Sequence, residues 1–228
     1  MRIVKLNVAL IIMSVLVLAC GNAVAQNIDT TASATGSIGG FGVPHTATYG
    51  QTITIPLGSS NITKFGFRME SVPSTVAFRG EIYAWDSVNN RATGSALYES
   101  ALAQTTGPTS QIVTFTPGSP VPVTAGQQYV LFVSSARDQT GHAGGGNFAI
   151  TTSSIYSGGS FVFQNGGADP SAWTTQNWNS VGTHDAGFIA EFDAAPVPTL
   201  SQWALIVLGL LLSLFALIQL RRSRPTPA

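Results

Sequence analysis

Short segments in which apolar and polar residues alternate run through most of the chain, from residue 26 to residue 193. An alternation with a period of two is typical of a strand that buries one face and exposes the other. Gly, Pro, Asn and Asp interrupt these segments roughly every ten residues, as turns between short strands require. Up to Ala195 no segment has a convincing helical period. The alternation therefore predicts an all-β fold.

Two segments carry the alternation most clearly and predict which side chains are buried. The segment "TYGQTITIPL" places Tyr49 and Ile53 on one face and threonines on the other. The segment "VAFRGEIYAWD" buries its phenylalanine and isoleucine and directs Glu81, Tyr83 and Trp85 to the opposite face. The predicted core contains Ile53, Phe65, Phe67, Phe78, Ile82, Val113, Phe115, Leu131, Phe148, Phe163 and Phe188.

The predicted strands have to cover one another, because no helix is available to bury their apolar faces. Residues 129–133 are apolar on both faces, which predicts a central strand covered by a second sheet. We therefore expect a two-sheet antiparallel β-sandwich, jelly-roll-like as the first choice and immunoglobulin-like as the second. Residues 26–193 are expected to form it as one domain.

Charge and cysteine content limit the partners and the cross-links. Residues 26–193 carry five basic and ten acidic side chains, a formal charge of −5. Phosphate binding needs a basic surface, so no nucleic-acid partner is expected. The one cysteine of the chain, Cys20, lies in the N-terminal segment, so no disulfide is expected once that segment is removed.

The sequence contains few residue patterns that are typical of catalytic or metal-binding sites. His45, His142 and His184 are far apart, and neither an H-E-x-x-H nor a G-x-S-x-G pattern occurs. No catalytic residue, metal or cofactor is therefore expected. Glu191 and Asp193 lie two residues apart on one predicted strand face, and paired carboxylates are what glycoside hydrolysis uses. A solvated strand face explains that pair equally without catalysis.

Aromatic side chains are the candidate contacts for carbohydrate. Tyr83 and Trp85 share a predicted polar face, and exposed rings beside polar groups suit the apolar faces of sugars. Trp173 and Trp178, in the long irregular loop 165–185, are the second choice. The alternative is that a loop or the N-terminal segment covers the first pair and that the two indoles close an open end of the sandwich.

The N-terminus predicts export. Two basic residues precede the apolar run 8–19, and Ala23 and Ala25 supply the small residues that signal peptidase reads. Residues 1–25 are therefore expected to be a signal peptide removed by signal peptidase. A competing interpretation uses Cys20, because "VLAC" approximates a lipobox in which the thiol is lipidated.

The C-terminus predicts a membrane span. Residues 203–220 carry no charge, and at about 1.5 Å per residue a helix of that length nearly crosses a ~30 Å hydrocarbon core. Arg221, Arg222 and Arg224 follow as charges that stop transfer and stay cytoplasmic. We expect a linker at 194–202, a transmembrane helix at 203–220 and a basic cytoplasmic tail at 221–228.

The same segment, "VPTLSQWALIVLGLLLSLFALIQLRR", resembles the IPTL-CTERM sorting signal of Gram-negative bacteria. The matching motif residues are Pro198, Thr199, Leu200 and Trp203, while Val197 replaces the usual Ile and Ala204 replaces a common Gly. The resemblance implies processing by an exosortase-type membrane enzyme and passage of the β domain to the cell surface or the extracellular matrix.

The resemblance and the residues together predict an exported, non-catalytic surface or biofilm-matrix protein. Its precursor would cross the inner membrane once with the β domain outside, and exopolysaccharide is the ligand class expected if sugars are bound. The alternative is a secreted hydrolase, for example one acting on glycosides, with a site assembled from distant loops.

Overall fold

The computed structural model describes residues 26–43, 45–70, 75–105, 109–139, 145–194 and 200–222. The β strands belong to one compact unit, Val24–Ala195, and the C-terminal helix belongs to another. The signal peptide expected at 1–25, including Cys20, lies outside the described residues.

Fourteen strands are described in the β unit. They are β1 (Ile28–Asp29), β2 (Gly36–Phe41), β3 (Thr48–Thr54), β4 (Ser59–Met69), β5 (Ala77–Asp86), β6 (Arg91–Glu99), β7 (Ala103–Gln104), β8 (Gln111–Phe115), β9 (Val121–Pro122), β10 (Gln128–Ser134), β11 (Gly146–Ile150), β12 (Phe161–Gln164), β13 (Asn179–Ser180) and β14 (Phe188–Ala194). Two short helices interrupt them, a 3₁₀ turn at Thr31–Ser33 and α1 at Ala172–Thr175. Helix α2 is Leu200–Arg222.

The strands form two antiparallel sheets. In sheet A, β4 is central: β14 and β11 pair with one edge, and β8 and β9 pair with the other. Sheet B has the order β13-β12-β3-β10-β5-β6. The chain crosses repeatedly between the two sheets: β2, β4, β8, β11 and β14 lie in sheet A, whereas β3, β5, β6, β10 and β12 lie in sheet B. The expected two-sheet antiparallel sandwich is confirmed.

The core lies between the inward faces of the two sheets. Phe65 and Phe67 of β4 face Ile82 of β5 and Leu131 of β10, and all four are fully buried. Every residue predicted for the core belongs to this cluster, with Val113 and Phe163 partly buried at its margin. A Cβ at Gly80 would lie 2.6 Å from the ring of Phe115, so a side chain at that position would collide with the core. The period-two alternation thus identified the inward faces correctly.

The expected central strand is also present. β10 pairs with β3 on one side and β5 on the other, and its residues are buried on both faces. Sheet A covers the face that carries Leu131. The opposite face, with Val130 and Phe132, is covered by Trp173 and Trp178 from the loop after β12.

Candidate functional site

The C-terminal segment is helical where the structure describes it. Helix α2 includes the backbone of Leu200, Trp203, Arg221 and Arg222, whereas Pro198, Thr199 and Arg224 lie outside the described residues. Several apolar side chains of α2 are about half exposed, among them Leu208, Leu211, Leu212 and Phe215. The expected helical conformation of 203–220 is therefore present.

A membrane span is a stricter requirement than a helix. Within the part of the chain that the structure describes, no helix meets the length and apolarity needed to cross a bilayer.

The strand that precedes the motif is held firmly in sheet A. Glu191 of β14 accepts a hydrogen bond from Nζ of Lys64 at 2.7 Å. Asp193 accepts one from Nδ2 of Asn61 at 2.7 Å and a longer one from the hydroxyl of Ser60. The two carboxylates considered for glycoside hydrolysis are therefore both engaged by neighbouring β4 side chains, and the strand remains paired as far as Ala194.

The four aromatic residues considered for carbohydrate contact come together over the outer face of sheet B. Tyr83 is 7% exposed, Trp173 is 2% and Trp178 is 5%, and only Trp85 is half-buried. The indole N–H of Trp173 donates to Oγ1 of Thr48 at 3.1 Å, and that of Trp178 donates to the carbonyl of Trp173 at 2.9 Å. The ring of Trp85 packs edge-on against Trp178 with centroids 5.7 Å apart.

This burial corrects the expected exposure of three of the rings. Tyr83, Trp173 and Trp178 are buried because the loop that contains α1 lies over sheet B. The indoles also cover a sheet face instead of closing an end of the sandwich. Carbohydrate contact by these residues stays a prediction, and Trp85 is the one of the four with substantial accessible surface.

A charged cluster lies beside the aromatic cover, centred on Glu81. The Glu81 side chain is 1% exposed, and neither carboxylate oxygen has a hydrogen-bond partner among the described residues. Nε of Arg137 is 3.7 Å from Oε1 of Glu81, and the guanidinium lies 5.0 Å from the ring centroid of Trp173. Burial raises the pKa of Glu81 to about 8, and the positive charge of Arg137 only partly opposes that rise.

The neighbours of Glu81 form ion pairs with one another. Arg137 also binds Glu99 at 2.9 Å, and Arg79 binds both Glu99 at 3.2 Å and Asp138 at 3.0 Å. The positive charges of Arg79 and Arg137 are therefore shared among the carboxylates of Glu81, Glu99 and Asp138. Since the deepest of these has no hydrogen bond, the arrangement favours a protonated Glu81 at neutral pH.

A second buried carboxylate, Asp185, is fully satisfied. It accepts hydrogen bonds from Nε2 of Gln51 at 3.0 Å and from the backbone N–H groups of Ile155 and Tyr156 at 2.8 and 2.9 Å. Gln51 in turn accepts from the backbone N–H of Ala186 at 2.8 Å. Asp185 thus joins the loop after β11 to the start of β14, which is a structural role. A polar Gln51 between Tyr49 and Ile53 on the inward face was the available sequence signal.

The other candidates for chemistry stay apart. His45 and His184 lie in separate loops, and His142 is outside the described residues. Across the described ranges, no three His, Cys, Asp or Glu side chains are grouped in a way that could hold a metal ion. The absence of a cofactor, a metal and a catalytic residue stays a prediction.

Comparison with protein families gives one match, and it falls on the C-terminal segment. The IPTL-CTERM motif model matches residues 195–222. The chain carries an IPTL-CTERM motif. The match begins directly after β14, includes Pro198, Thr199, Leu200 and Trp203, and ends with α2 at Arg222. No curated protein matches the chain.

The motif determines what is established about location and processing. An IPTL-CTERM motif is a C-terminal sorting signal, and it implies an exported, cell-surface protein that is processed by a membrane-associated enzyme. The IPTL-CTERM resemblance noted in the sequence is therefore confirmed.

Proposed function

We propose that this chain is a non-catalytic protein of the cell surface or extracellular matrix, displayed through its IPTL-CTERM signal. Its precursor would cross the inner membrane once, with the β unit outside. An exosortase-type enzyme would then remove the C-terminal tail, so that the β-sandwich is the part that remains at the surface.

The observation that carries the proposal is the position of the motif. The match at 195–222 starts one residue after Ala194, the last residue of a strand that is paired with β4 along its length. A processing enzyme would therefore meet the motif immediately outside a folded unit and would not have to unfold a strand to reach it. This order of parts is what release of an intact passenger requires.

The proposed membrane topology follows from charge and hydropathy in the sequence. Residues 203–220 are uncharged, and Arg221, Arg222 and Arg224 follow them, which favours a cytoplasmic C-terminus. Removal of residues 1–25 by signal peptidase would leave 203–220 as the single membrane span of the precursor. The α-helical backbone of Leu200–Arg222 supports this, because a lone span in lipid has to satisfy its own backbone hydrogen bonds.

The non-catalytic assignment is supported by the state of the paired carboxylates. Glu191 and Asp193 form hydrogen bonds with Lys64, Asn61 and Ser60 of the neighbouring strand, and such cross-strand pairing accounts for both carboxylates without catalysis. Exopolysaccharide remains the proposed class of contact, through accessible side chains such as Trp85. A glycan array with the purified β unit and its Trp85→Ala variant tests this, and turnover of a polysaccharide would refute the non-catalytic assignment.

Mass spectrometry of the protein from its native host tests the processing. We expect a β unit that begins at Gln26 in the surface fraction and lacks the apolar tail. Replacing Pro198, Thr199 and Leu200 together by Ala should leave the full-length tail attached and the protein in the inner membrane. Ser95→Ala, at an exposed position of β6, is the matched control and should be processed normally.

An intact apolar tail on the surface form of the natural chain would contradict the proposal and reduce the segment to a plain anchor. A lipid-modified N-terminal peptide beginning at Cys20 would replace Gln26 as the start.

A further inference from the structure

An open groove crosses the outer face of sheet A beside the end of β4. Its volume is about 660 Å³, within the roughly 300–1,000 Å³ that is usual for small-molecule sites. Four adjacent strands or strand ends contribute to its lining, with Ser37 from β2, Asn147 from β11, Arg68 from β4 and Ser110 from the residues just before β8. Glu70, directly after β4, lines it as well. We call this the sheet A groove.

The alternation along the strands directs the polar side chains of the groove away from the core. Phe67, Met69 and Phe148 are buried between the two sheets. Arg68 and Asn147 alternate with them in sequence, so their side chains point to the opposite face of sheet A. Sheet B has the loop containing α1 over its outer face, whereas this part of sheet A presents hydrogen-bonding groups to solvent.

Three parts of the chain hold the guanidinium of Arg68 in place. Its Nε donates to Oγ of Ser110 at 3.0 Å, its Nη1 donates to the carbonyl of Thr31 at 3.0 Å, and its Nη2 lies 2.8 Å from Oε1 of Glu70. A guanidinium has five N–H groups, so two remain without an acceptor among the described residues. Because the side chain is already fixed, it would lose little conformational freedom on binding a ligand.

The other polar groups of the groove add both an acceptor and donors. Oε2 of Glu70 and the hydroxyl of Ser37 have no hydrogen-bond partner in the part of the chain that the structure describes. Oγ of Ser110 accepts from Arg68 and still has its own O–H to donate. The charges of Arg68 and Glu70 cancel. Donors and an acceptor without net charge match the hydroxyl groups of a neutral carbohydrate.

The groove continues beyond Arg68 into a second hollow. That hollow has a volume of about 320 Å³, shares Arg68 and Ser110 with the first, and adds Ile112. Ile112 lies opposite Arg68 in the pairing of β8 with β4 and is 48% exposed. Its apolar surface can contact the C–H groups of a sugar ring. Two adjoining hollows that are open to solvent suit consecutive units of a chain better than one compact ligand.

We propose that the sheet A groove binds a segment of a neutral polysaccharide, with Arg68, Glu70 and Ser37 forming hydrogen bonds to its hydroxyl groups. The inference rests on the exopolysaccharide contact proposed above and assigns that contact to sheet A, whereas Trp85 lies on sheet B. The neutral class is favoured because residues 26–193 carry a formal charge of −5, which would repel a polyanionic chain.

Calorimetric titration of the detergent-solubilised full chain tests the site. The probes are neutral glucan and mannan oligosaccharides, with oligogalacturonate as the anionic comparison. Glu70→Ala removes the carboxylate of the groove, and Glu191→Ala is the matched control, since it makes the same change in an ion pair of similar exposure on the same face of sheet A. Ser37→Ala changes an exposed residue and keeps the test decisive if Glu70→Ala does not fold. Circular dichroism checks the folding of each variant.

We expect a neutral oligosaccharide to bind, with its affinity lowered about tenfold by Glu70→Ala, about threefold by Ser37→Ala and not by Glu191→Ala. Binding that neither groove variant weakens, or that Trp85→Ala alone weakens, would refute the groove and leave the exopolysaccharide contact standing. Binding of oligogalacturonate alone would refute the neutral class and with it this inference. No binding of any probe would refute the groove and the exopolysaccharide contact together, and would leave the proposed sorting and processing unaffected.

Discussion

Replacing Glu81 by Gln should remove a large pH dependence from the stability of the β unit. Glu81 is fully buried on the outer side of sheet B, with no hydrogen bond to either oxygen and Arg137 at 3.7 Å. The charged groups that face it are Arg79 on its own strand, Glu99 on β6, and Arg137 and Asp138 in the loop after β10. Gln has nearly the same shape and cannot ionise.

Whether the free energy of unfolding rises or falls with pH depends on whether the folded or the unfolded state holds the Glu81 proton. Burial raises the pKa of Glu81 from 4.5 to about 8, so between these pH values the folded chain keeps a proton that the unfolded chain has lost. The free energy of unfolding therefore falls as pH rises through this window, by about 1.36 kcal/mol per pH unit. Across the whole window the fall amounts to about 5 kcal/mol.

Urea unfolding of residues 26–194 at several pH values from 4.5 to 8.5, followed by tryptophan fluorescence, measures this directly. The Glu81→Gln variant should match the natural unit near pH 4.5 and be increasingly more stable above it. Glu99→Gln is the control: it makes the same change at a carboxylate that is 33% exposed and shared by Arg79 and Arg137, so an effect within about 1 kcal/mol is expected.

A Glu81→Gln variant that is less stable than the natural unit at pH 8 would refute this reasoning. It would mean that Glu81 is ionised and that its pairing with Arg137 outweighs the cost of burying the charge.

Three further changes probe the rest of the β unit, each by equilibrium unfolding. Phe67→Ala should cost about 3–5 kcal/mol, because the ring is fully buried between the sheets, whereas Ile112→Ala, at a 48% exposed position, should cost much less; equal losses would contradict the assigned faces. Asp185→Ala should cost about 3 kcal/mol or more, since it leaves two backbone N–H groups and the Gln51 amide without their acceptor; a neutral result would show that water replaces it. Gly80→Ala should destabilise strongly, because the new Cβ would meet the Phe115 ring at 2.6 Å, and an unchanged midpoint would refute that contact.

The inward faces of the strands were predictable because they obey a local rule. Alternation along β5 separates Phe78 and Ile82 from Glu81 and Tyr83, and the pairing of β5 with β10 keeps this separation in the folded unit. The sorting motif was also predictable, since it is a short contiguous pattern at residues 195–222. Each of these two predictions depends only on residues that are close together in the sequence.

The pairing order of the strands and the partners of the buried polar groups were not predictable in this way. Gln51 and Asp185 are 134 residues apart, and nothing in the local pattern of either indicates that they meet. Two of the hydrogen bonds that Asp185 accepts come from backbone N–H groups, which only the tertiary structure brings to it. Long-range hydrogen bonds of this kind leave no periodic signal.

Periodicity also does not tell whether the polar face of a sheet meets solvent. The outer faces of the two sheets alternate in the same manner, yet Lys64 and Glu191 on sheet A are about one-third exposed, while Glu81 on sheet B is fully buried. The difference is made by α1, a single helical turn whose Trp173 lies over sheet B and holds Arg137 above Glu81. The same cover buries Tyr83, Trp173 and Trp178 in a second apolar cluster, and it places the buried Glu81 carboxylate beside the aromatic rings that were predicted to be exposed.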